Sequence, residues 1–263
     1  MPDAPQSEDW VLVADHGAIR ILTLNRPATR NAIDLELRGV LAEALEAAMA
    51  DEAVRVVVLT GSGGTFCSGG DISTMRRQPA GGNRARLQAA QRVIRAIWNG
   101  PKPVLAAVEG HAAGAGASLA LACDRVVAAE DATFVMSFTR VGIAGDMGIF
   151  VSLPARAGIG AARQLMMLPR GVTGQEALDL GLADVITEPG RALAAALADA
   201  EAIAAGPPLA LAGIKAMLGR WPADSGEILD REVDLQTRLM DTDDFAEGIA
   251  AFRERRPAVF RGR

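Results

Sequence analysis

Hydrophobic positions in the first half of the chain follow two different periods. Short apolar runs bounded by turn residues predict strands, and they include "WVLVAD" (10–15), "AIRILTLN" (18–25) and "RVVVLT" (55–60). His16 and Gly17 separate the first two runs, which predicts a hairpin. After Asp34, a residue type that caps helices, apolar side chains recur at helical spacing: Leu37, Val40, Leu41, Ala44, Leu45 and Ala48. This recurrence of strands and helices predicts an α/β fold.

The pattern becomes helical throughout from about residue 190. An alanine-rich segment is followed there by "PPLALAGIKAML" (207–218), "SGEILDREVDLQTRLM" (225–240) and "TDDFAEGIAAFRERRP" (242–257). We therefore predict an α/β core over residues 1–195 and a helical region over residues 196–263. The helical region is too short to hold a core of its own, so we expect it to pack on the core or on another subunit.

Composition and charge restrict the location and the partners of the protein. Half of the 263 residues are hydrophobic, and the net charge is −5. Charged residues of both signs are scattered along the chain without a long basic block, which argues against nucleic acid as a partner. The acidic N-terminal segment lacks the apolar core of a signal peptide, and no apolar run reaches the roughly 18 residues of a membrane span. Two cysteines are too few for a disulfide framework or a zinc site. These features predict a soluble cytoplasmic protein that contacts no membrane.

Two glycine-rich loops, "FCSGGD" (66–71) and "GHAAGAG" (110–116), are the first candidates for chemistry. Each follows an apolar strand and leads into a helical pattern. Backbone N–H groups at such a turn can bind an anion or a developing oxyanion, and glycine lets a ligand approach closely. For either loop alone, a tight strand-to-helix turn is the favoured interpretation, because short glycine motifs are common by chance. Neither carries the dinucleotide-binding or phosphate-binding glycine pattern.

Four motifs in order make the pattern far more specific. They are "LNRPATRNA" (24–32), "RVVVLTGSGGTFCSGGD" (55–71), "PKPVLAAVEGHAAGAGASLALACD" (101–124) and "DFAEGIAAFRERRPAVFRG" (244–262). Over essentially its whole length the chain resembles the enoyl-CoA hydratase/isomerase (crotonase) superfamily. The resemblance implies a spiral of strand-strand-helix turns with a C-terminal helical trimerisation region, assembled as a homotrimer or a dimer of trimers. It also implies an acyl-CoA thioester substrate, with coenzyme A carried on the substrate, and neither a metal nor a separate cofactor.

The same resemblance implies which residues contact the substrate. The two backbone N–H groups that stabilise a thioester enolate would belong to Ser68 and Ala115. Arg26 and Arg30 would contact the CoA phosphates, and Gly69 and Asp71 would contact the substrate from the first loop. Met136 and Phe138 would line the acyl group. Phe260 and Arg261 would reach the CoA of a neighbouring subunit.

Several of these residues have an equally good structural interpretation. Solvated surface positions would explain Arg26 and Arg30, and ordinary core packing would explain Met136 and Phe138. Asp71 is expected to cap the helix after the first loop as well as to shape the adenine pocket. Cys67, beside the implied donor, is predicted to be a small buried hydrophobe rather than a nucleophile.

Hydratases of this superfamily use two glutamates to activate water. By alignment of the motifs, the first position is Ser118 and the second is near Phe138, with Ser137 in place of a proline. Serine cannot replace a carboxylate base, and phenylalanine has no proton to exchange. The usual hydratase mechanism is therefore not expected.

One acid remains in the adjoining segment "FTRVGIAGDMGIF" (138–150), namely Asp146. The segment resembles that of ring-epoxide isomerases and enoyl-CoA isomerases, in which a single aspartate is the acid/base. It departs from them at Gly145, where proline is usual, and in "MGIF", where a glycine pair and threonine are usual. Burial among apolar neighbours would raise the pKa of the Asp146 carboxyl, whereas the alternatives are an exposed loop carboxylate and a helix N-cap.

These observations predict an isomerase of an enoyl-CoA. It would shift a double bond or open a ring epoxide through a stabilised thioester enolate, with Asp146 as the proton shuttle. Two alternatives stay open: an enoyl-CoA hydratase with non-standard acids, and a non-catalytic acyl-CoA binding protein.

Overall fold

The computed structural model describes residues 10–77, 79, 83–219 and 225–263, with the backbone alone at Ser225. The segment that carries the expectation about a signal peptide lies outside these ranges, apart from its last residue. The strands of the described chain are β1 (Val11–His16), β2 (Ile19–Leu24), β3 (Val56–Gly61), β4 (Val104–Val108), β5 (His111–Ala113), β6 (Arg125–Ala129), β7 (Thr133–Val135), β8 (Val172–Thr173) and β9 (Val185–Thr187).

The larger sheet has the strand order β1-β2-β3-β4-β6-β9 within the described ranges. β1 and β2 form the predicted antiparallel hairpin, in which His16 pairs with Ile19, and every later pairing in this sheet is parallel. β3 is buried on both faces, which explains its continuous apolar run. Successive side chains of a strand point to opposite faces, so alternate residues of β3 belong to different hydrophobic clusters. Val57 and Leu59 lie in the main core, and Val56 and Val58 lie in a smaller cluster on the other face.

A second, smaller sheet contains β5, β7 and β8. Two isolated parallel bridges, Ile33 with Gly70 and Cys67 with Ala112, join the loops after β2 and β3 to the same side of the molecule. Each turn of the chain thus contributes first to the large sheet and then to this small one. The predicted spiral of strand-strand-helix turns is confirmed.

The helices cover both faces of the large sheet and form the C-terminal region. In the described chain they are α1 (Leu35–Ala50), α2 (Arg84–Asn99), α3 (Ala115–Leu121), α4 (Ile149–Met167), α5 (Gly174–Asp179), α6 (Ala192–Ala204), α7 (Pro208–Leu218), α8 (Ser225–Met240) and α9 (Asp243–Glu254).

Helix α6 contains the predicted boundary at residue 195. Its buried alanines, Ala192, Ala196 and Ala200, pack on the face of β3, β4 and β6 that α1 does not cover. This helix therefore completes the core, and α7 to α9 pack in succession beyond it. No single described helix is long and apolar enough to cross a membrane; α6 and α7 meet that test only together, across a 110° bend.

Asp34 begins α1 as predicted, and its role gives a testable stability effect. Its carboxylate accepts from the Leu37 N–H at 2.9 Å and pairs with Arg26 at 2.7 Å. We expect Asp34→Ala to lower the free energy of unfolding by about 1–2 kcal/mol, because a helix N-terminus loses its cap. Asp34→Asn keeps the capping oxygen and should lose less. Thermal denaturation of the two variants tests this, and equal losses would contradict a capping role.

Candidate active site

The two glycine-rich loops lie directly against each other. Cys67 donates its N–H to the carbonyl of His111 at 2.8 Å, and Ala113 donates to the carbonyl of Cys67 at 3.0 Å. A Cβ on Gly116 would lie 2.3 Å from the Cys67 carbonyl oxygen. A Cβ on Gly69, whose φ is +108°, would lie 2.7 Å from the Ala113 carbonyl oxygen. Glycine is therefore required at both positions for the loops to meet.

The backbone N–H of Ser68 is already used inside the fold. It donates to the carbonyl of Arg30 at 2.9 Å, so it does not face a substrate. The expectation that Ser68 is an oxyanion donor is therefore corrected: this N–H belongs to the turn that closes the first loop. The Gly69 N–H points to the sulfur of Cys67 at 3.4 Å.

Gly70 supplies a free N–H next to that of Ala115. The Ile33 N–H donates to the Gly69 carbonyl, and the Ile33 carbonyl accepts from the Asp71 N–H. In this parallel bridge both bonds lie on the Ile33 side, so the N–H of Gly70 points away from Ile33. Within the described chain neither the Gly70 N–H nor the Ala115 N–H has an acceptor. A Cβ on Gly69 would be 3.7 Å from the Ala115 nitrogen, which places the two loops side by side here.

Asp146 lies in a tight turn before α4. Residues with positive φ surround it: Gly145 at +141°, Met147 at +52° and Gly148 at +77°. Proline cannot adopt the φ of Gly145, which explains the departure from the isomerase pattern at that position. Gly148, not Asp146, is the N-cap residue of α4, so the capping alternative for Asp146 is wrong. A left-handed methionine is a strained conformation of the kind that clusters at functional sites.

Ser118, at the first hydratase position, supports the Asp146 turn. Its side chain is completely buried in α3, and its Oγ donates to the backbone carbonyl of Asp146 at 3.0 Å. Ile149 donates its N–H to the same carbonyl at 3.3 Å. Serine therefore fixes the position of the carboxylate-bearing residue where a hydratase would present a glutamate of its own.

The carboxylate of Asp146 faces Arg38 of α1. Arg38 Nη2 lies 3.7 Å from Asp146 Oδ2, and the Asp146 side chain is 17% exposed. Burial raises the pKa of the Asp146 carboxyl above its ordinary value, while the charges of Arg38 and then Arg86 act to lower that pKa. The site thus holds a carboxylate that is largely shielded from water, and its protonation depends on this burial and on the charges of two arginines.

Sequence reasoning missed Arg38, although a signal was present. Arg38 follows Leu37 on the buried side of α1 and falls one turn from Leu41 and Ala42, so helical spacing points it into the core. Its side chain is only 1% exposed. A charged residue on the apolar side of an amphipathic helix was therefore the clue.

The two arginines expected at the CoA phosphates have different surroundings. Arg26 Nη1 donates to Asp34 and to the Ala32 carbonyl, and its guanidinium stacks 4.5 Å from the centre of the Trp10 ring. These contacts hold the N-terminal strand to α1 and argue against a phosphate role for Arg26. Arg30 is exposed, and within the described chain its side chain has no partner. It lies beside the first loop, because its carbonyl accepts from Ser68.

The remaining predicted residues fall in three places. Asp71 caps the short 3-10 helix at 72–74 by accepting from the Ser73 N–H at 3.0 Å, so its capping role is confirmed. Met136 and Phe138 are buried in the main core. The backbone of the last residues docks on α9 and on Arg55: Asp244 accepts from the Arg261 N–H, and Arg55 donates to the Phe260 carbonyl. Contacts of Phe260 and Arg261 with a neighbouring subunit's CoA stay a prediction.

Cys67 is a buried packing residue, which allows a chemical test. Burial raises the pKa of its thiol to about 12, and the same holds for Cys123. Because the thiolate is the reactive form, we expect neither cysteine of the folded protein to react with iodoacetamide at pH 8. Both should react after unfolding in guanidinium. Rapid labelling of Cys67 in the folded protein, read by mass spectrometry, would contradict this assignment.

Comparison with known proteins identifies the family of this chain. The sequence model of the enoyl-CoA hydratase/isomerase family matches residues 15–263. The chain belongs to this family. It is 32% identical to the 1,2-epoxyphenylacetyl-CoA isomerase of Escherichia coli, covering 97% of this chain and 99% of that protein. It is 35% identical to the 2,3-dehydroadipyl-CoA hydratase of the same organism, covering 96% and 99%.

A solved structure extends the likeness to three dimensions. An enoyl-CoA hydratase from a Polaromonas species superposes with a TM-score of 0.91 at 38% identity, covering 95% of this chain and 99% of that one. The protein is therefore an acyl-CoA-processing enzyme of the enoyl-CoA hydratase/isomerase family. The relatives' names include both hydratases and isomerases, so membership alone does not choose between the two reactions.

Proposed function

We propose that the enzyme is an isomerase that shifts the double bond of an enoyl-CoA, with Asp146 as its proton shuttle. One observation carries the proposal. The turn around Asp146 presents a single partly buried carboxylate, and Ser118, where a hydratase would carry a glutamate, is used to hold that turn. A reaction that needs one acid/base group fits this site better than one that needs two.

In the proposed reaction, the Gly70 and Ala115 N–H groups donate to the thioester carbonyl oxygen of a 3-enoyl-CoA. These fixed donors stabilise the negative charge that develops on that oxygen. Ionised Asp146 removes a proton from C2, and the electron pair of the broken C–H bond conjugates with the thioester as an enolate. The C2=C3 double bond then forms as C4 takes the proton back from Asp146. The carboxylate is regenerated, and no other reactant is consumed.

Binding of the CoA group completes the proposal. Arg30 is exposed beside the first loop and is the better candidate for a CoA phosphate, since Arg26 is already paired.

We also propose a homotrimer or a dimer of trimers in the cytoplasm. Exposed apolar side chains on and after α4 support assembly, because covering them with another subunit would remove apolar surface from water; they are Phe150, Val151, Ile159, Met167 and Leu168.

Hydration of a 2-enoyl-CoA is the second candidate. Relatives at 35% and 38% identity that are named hydratases favour it. A hydratase would have to position water with Asp146 and its cationic neighbours instead of two glutamates. The two reactions differ in their product, so a direct assay separates them.

The assay incubates purified protein with a 3-enoyl-CoA and, separately, with a 2-enoyl-CoA. Chromatography would quantify the shifted double bond and the hydroxyacyl product in each reaction. We expect conversion of the 3-enoyl ester and little hydroxyacyl product from either substrate. Rapid formation of hydroxyacyl-CoA from the 2-enoyl ester, with no double-bond shift, would overturn the proposal in favour of hydration.

The pH dependence of the reaction should depend on Arg38. Asp146 must be ionised to accept a proton, so kcat/KM should fall as the pH drops through the pKa of its carboxyl. Arg38 acts to lower that pKa. We therefore expect Arg38→Met to raise the pKa and to move the acidic limb of the pH–rate profile to higher pH. A limb that stays in place, or moves to lower pH, would show that Arg38 does not act on Asp146.

A further inference from the structure

Arg38 has more hydrogen-bonding capacity than the fold uses. Its Nη1 donates to the Arg86 carbonyl at 2.9 Å. Its Nη2 lies 3.7 Å from Asp146 Oδ2, which is an ion-pair separation but too long for a hydrogen bond. Three buried polar atoms of this cluster have no hydrogen-bond partner within the described chain: Arg38 Nε, Arg86 Nη2 and Asp146 Oδ1.

Such an arrangement is not explained by stability. Removing a guanidinium from water is unfavourable, and its attraction to a carboxylate offsets this only when hydrogen bonds satisfy both groups. The side chains near Arg38 on α1, at Leu37, Leu41 and Ala42, are buried and apolar, so an apolar residue would suit the core equally well. Buried polar groups that lack partners point instead to a functional role.

The charge of the cluster indicates which partner it favours. Arg38 and Arg86 supply two positive charges and Asp146 one negative charge; the charge of Arg86 acts on both Arg38 and Asp146, and Asp34 adds a second negative charge that acts on Arg38. The two donors without a partner in the described chain both belong to the positive side chains. Arg38 Nε and Arg86 Nη2 can only donate, so the matching ligand atom is an electron-rich acceptor such as an oxygen.

The position of Arg38 indicates which part of a substrate it would contact. Its Nη2 faces Asp146, the proposed acid/base group. Its charge also acts on the thiol of Cys67, in the first glycine loop. It therefore lies near both the loop proposed to hold the thioester and the carboxylate proposed to act on the adjoining carbons. A group bound here would be attached within a few carbons of the thioester.

We propose that Arg38 is a specificity-determining residue whose Nε–H donates to an acceptor oxygen on the acyl group, close to the carbons on which Asp146 acts. Preferred substrates are then acyl-CoA thioesters oxygenated near the reacting carbons rather than plain hydrocarbon chains. This inference rests on the proposed acyl-CoA site. A site built to hydrogen-bond a substrate oxygen discriminates strongly against an analogue without it, because the buried donor is then left unpaired.

Pairs of isosteric thioesters test this directly. Methoxyacetyl-CoA differs from butanoyl-CoA by an ether oxygen in place of one methylene, and 3-methoxypropanoyl-CoA differs from pentanoyl-CoA in the same way. The ether oxygen only accepts hydrogen bonds, and none of the four esters has a double bond to shift. Isothermal titration should show at least one ether bound about tenfold more tightly than its hydrocarbon partner, as a hydrogen bond to a charged donor would give.

Variants then assign the preference to Arg38. Arg38→Met should abolish the preference, and Arg38→Lys, which keeps a donor, should retain part of it. Arg95→Met, on the exposed side of α2, is the matched control and should leave the preference unchanged. Circular dichroism and melting temperatures would establish that each variant is folded.

Each other outcome has a definite meaning. Equal binding of both members of each pair to the native protein would overturn the inference and leave the proposed isomerase intact. A preference that survives in Arg38→Met would also overturn it, by placing the oxygen elsewhere. Failure of the native protein to bind any of the four esters would contradict the proposed acyl-CoA site itself.

Discussion

Replacement of Asp146 by asparagine should lower kcat by about 10²- to 10⁴-fold and leave acyl-CoA binding nearly unchanged. That range is what a positioned general acid/base contributes, and an amide cannot take up and return a proton at this step. The contacts that hold the turn involve the backbone carbonyl of Asp146, which accepts from Ser118 and Ile149. They survive the substitution, so the loss can be assigned to the carboxylate.

Asp131→Asn is the matched control for this experiment. Asp131 is exposed in the turn between β6 and β7, and the same chemical change there should leave kcat within about twofold of the native value, as for other surface substitutions. Steady-state kinetics with a 3-enoyl-CoA and titration with a saturated acyl-CoA would separate catalysis from binding. A kcat for Asp146→Asn close to that of the control would remove Asp146 from the reaction.

Replacement of Gly116 by alanine should produce the second large effect. The added Cβ would lie 2.3 Å from the Cys67 carbonyl oxygen and 2.8 Å from the Cys67 Cβ, so α3 must move away from the first loop. That movement separates the Ala115 N–H from the Gly70 N–H. Because loss of one oxyanion donor typically lowers kcat by about 10²- to 10³-fold, we expect a fall of that order. The clash should also lower the melting temperature.

Gly160→Ala provides the comparison for Gly116→Ala. Gly160 lies on the exposed side of α4, its φ is not positive, and a Cβ there would meet no atom within 4 Å. Alanine should stabilise that helix by about 0.5–1 kcal/mol and leave kcat unchanged. A Gly116→Ala variant with native kcat would show that close contact of the two loops is not needed for catalysis.

Features that depend on local sequence were predictable. The β1–β2 hairpin follows from two alternating runs around His16 and Gly17, and the start of α1 follows from Asp34 and the apolar spacing after it. Both are set by interactions between residues near each other in the chain. The end of the core was less predictable, because the alanines of α6 look like those of any helix until they meet the sheet.

The chemistry of the site was only partly predictable for the same reason. The two glycine loops and Asp146 stand out in the sequence, but which N–H groups are free depends on pairing across the fold. Arg30 accepts from Ser68, and Ile33 orients Gly70, through contacts that no single loop reveals. The Arg38 pairing joins residues more than one hundred positions apart. Ser118 looked like a lost catalytic residue and proved to hold the Asp146 turn.

The measurement that tests the central claim most directly follows two isotopes at once. A 3-enoyl-CoA is converted by the native enzyme in D₂O enriched in oxygen-18, and the products are examined by mass spectrometry. A proton shuttle by Asp146 predicts a 2-enoyl-CoA that carries deuterium at most at the carbon receiving the proton, with no oxygen-18 in the acyl group of any product. No conversion of the 3-enoyl ester, by a preparation that turns a 2-enoyl-CoA into an oxygen-18-labelled hydroxyacyl product, would mean that the enzyme adds water, and would contradict the isomerase account.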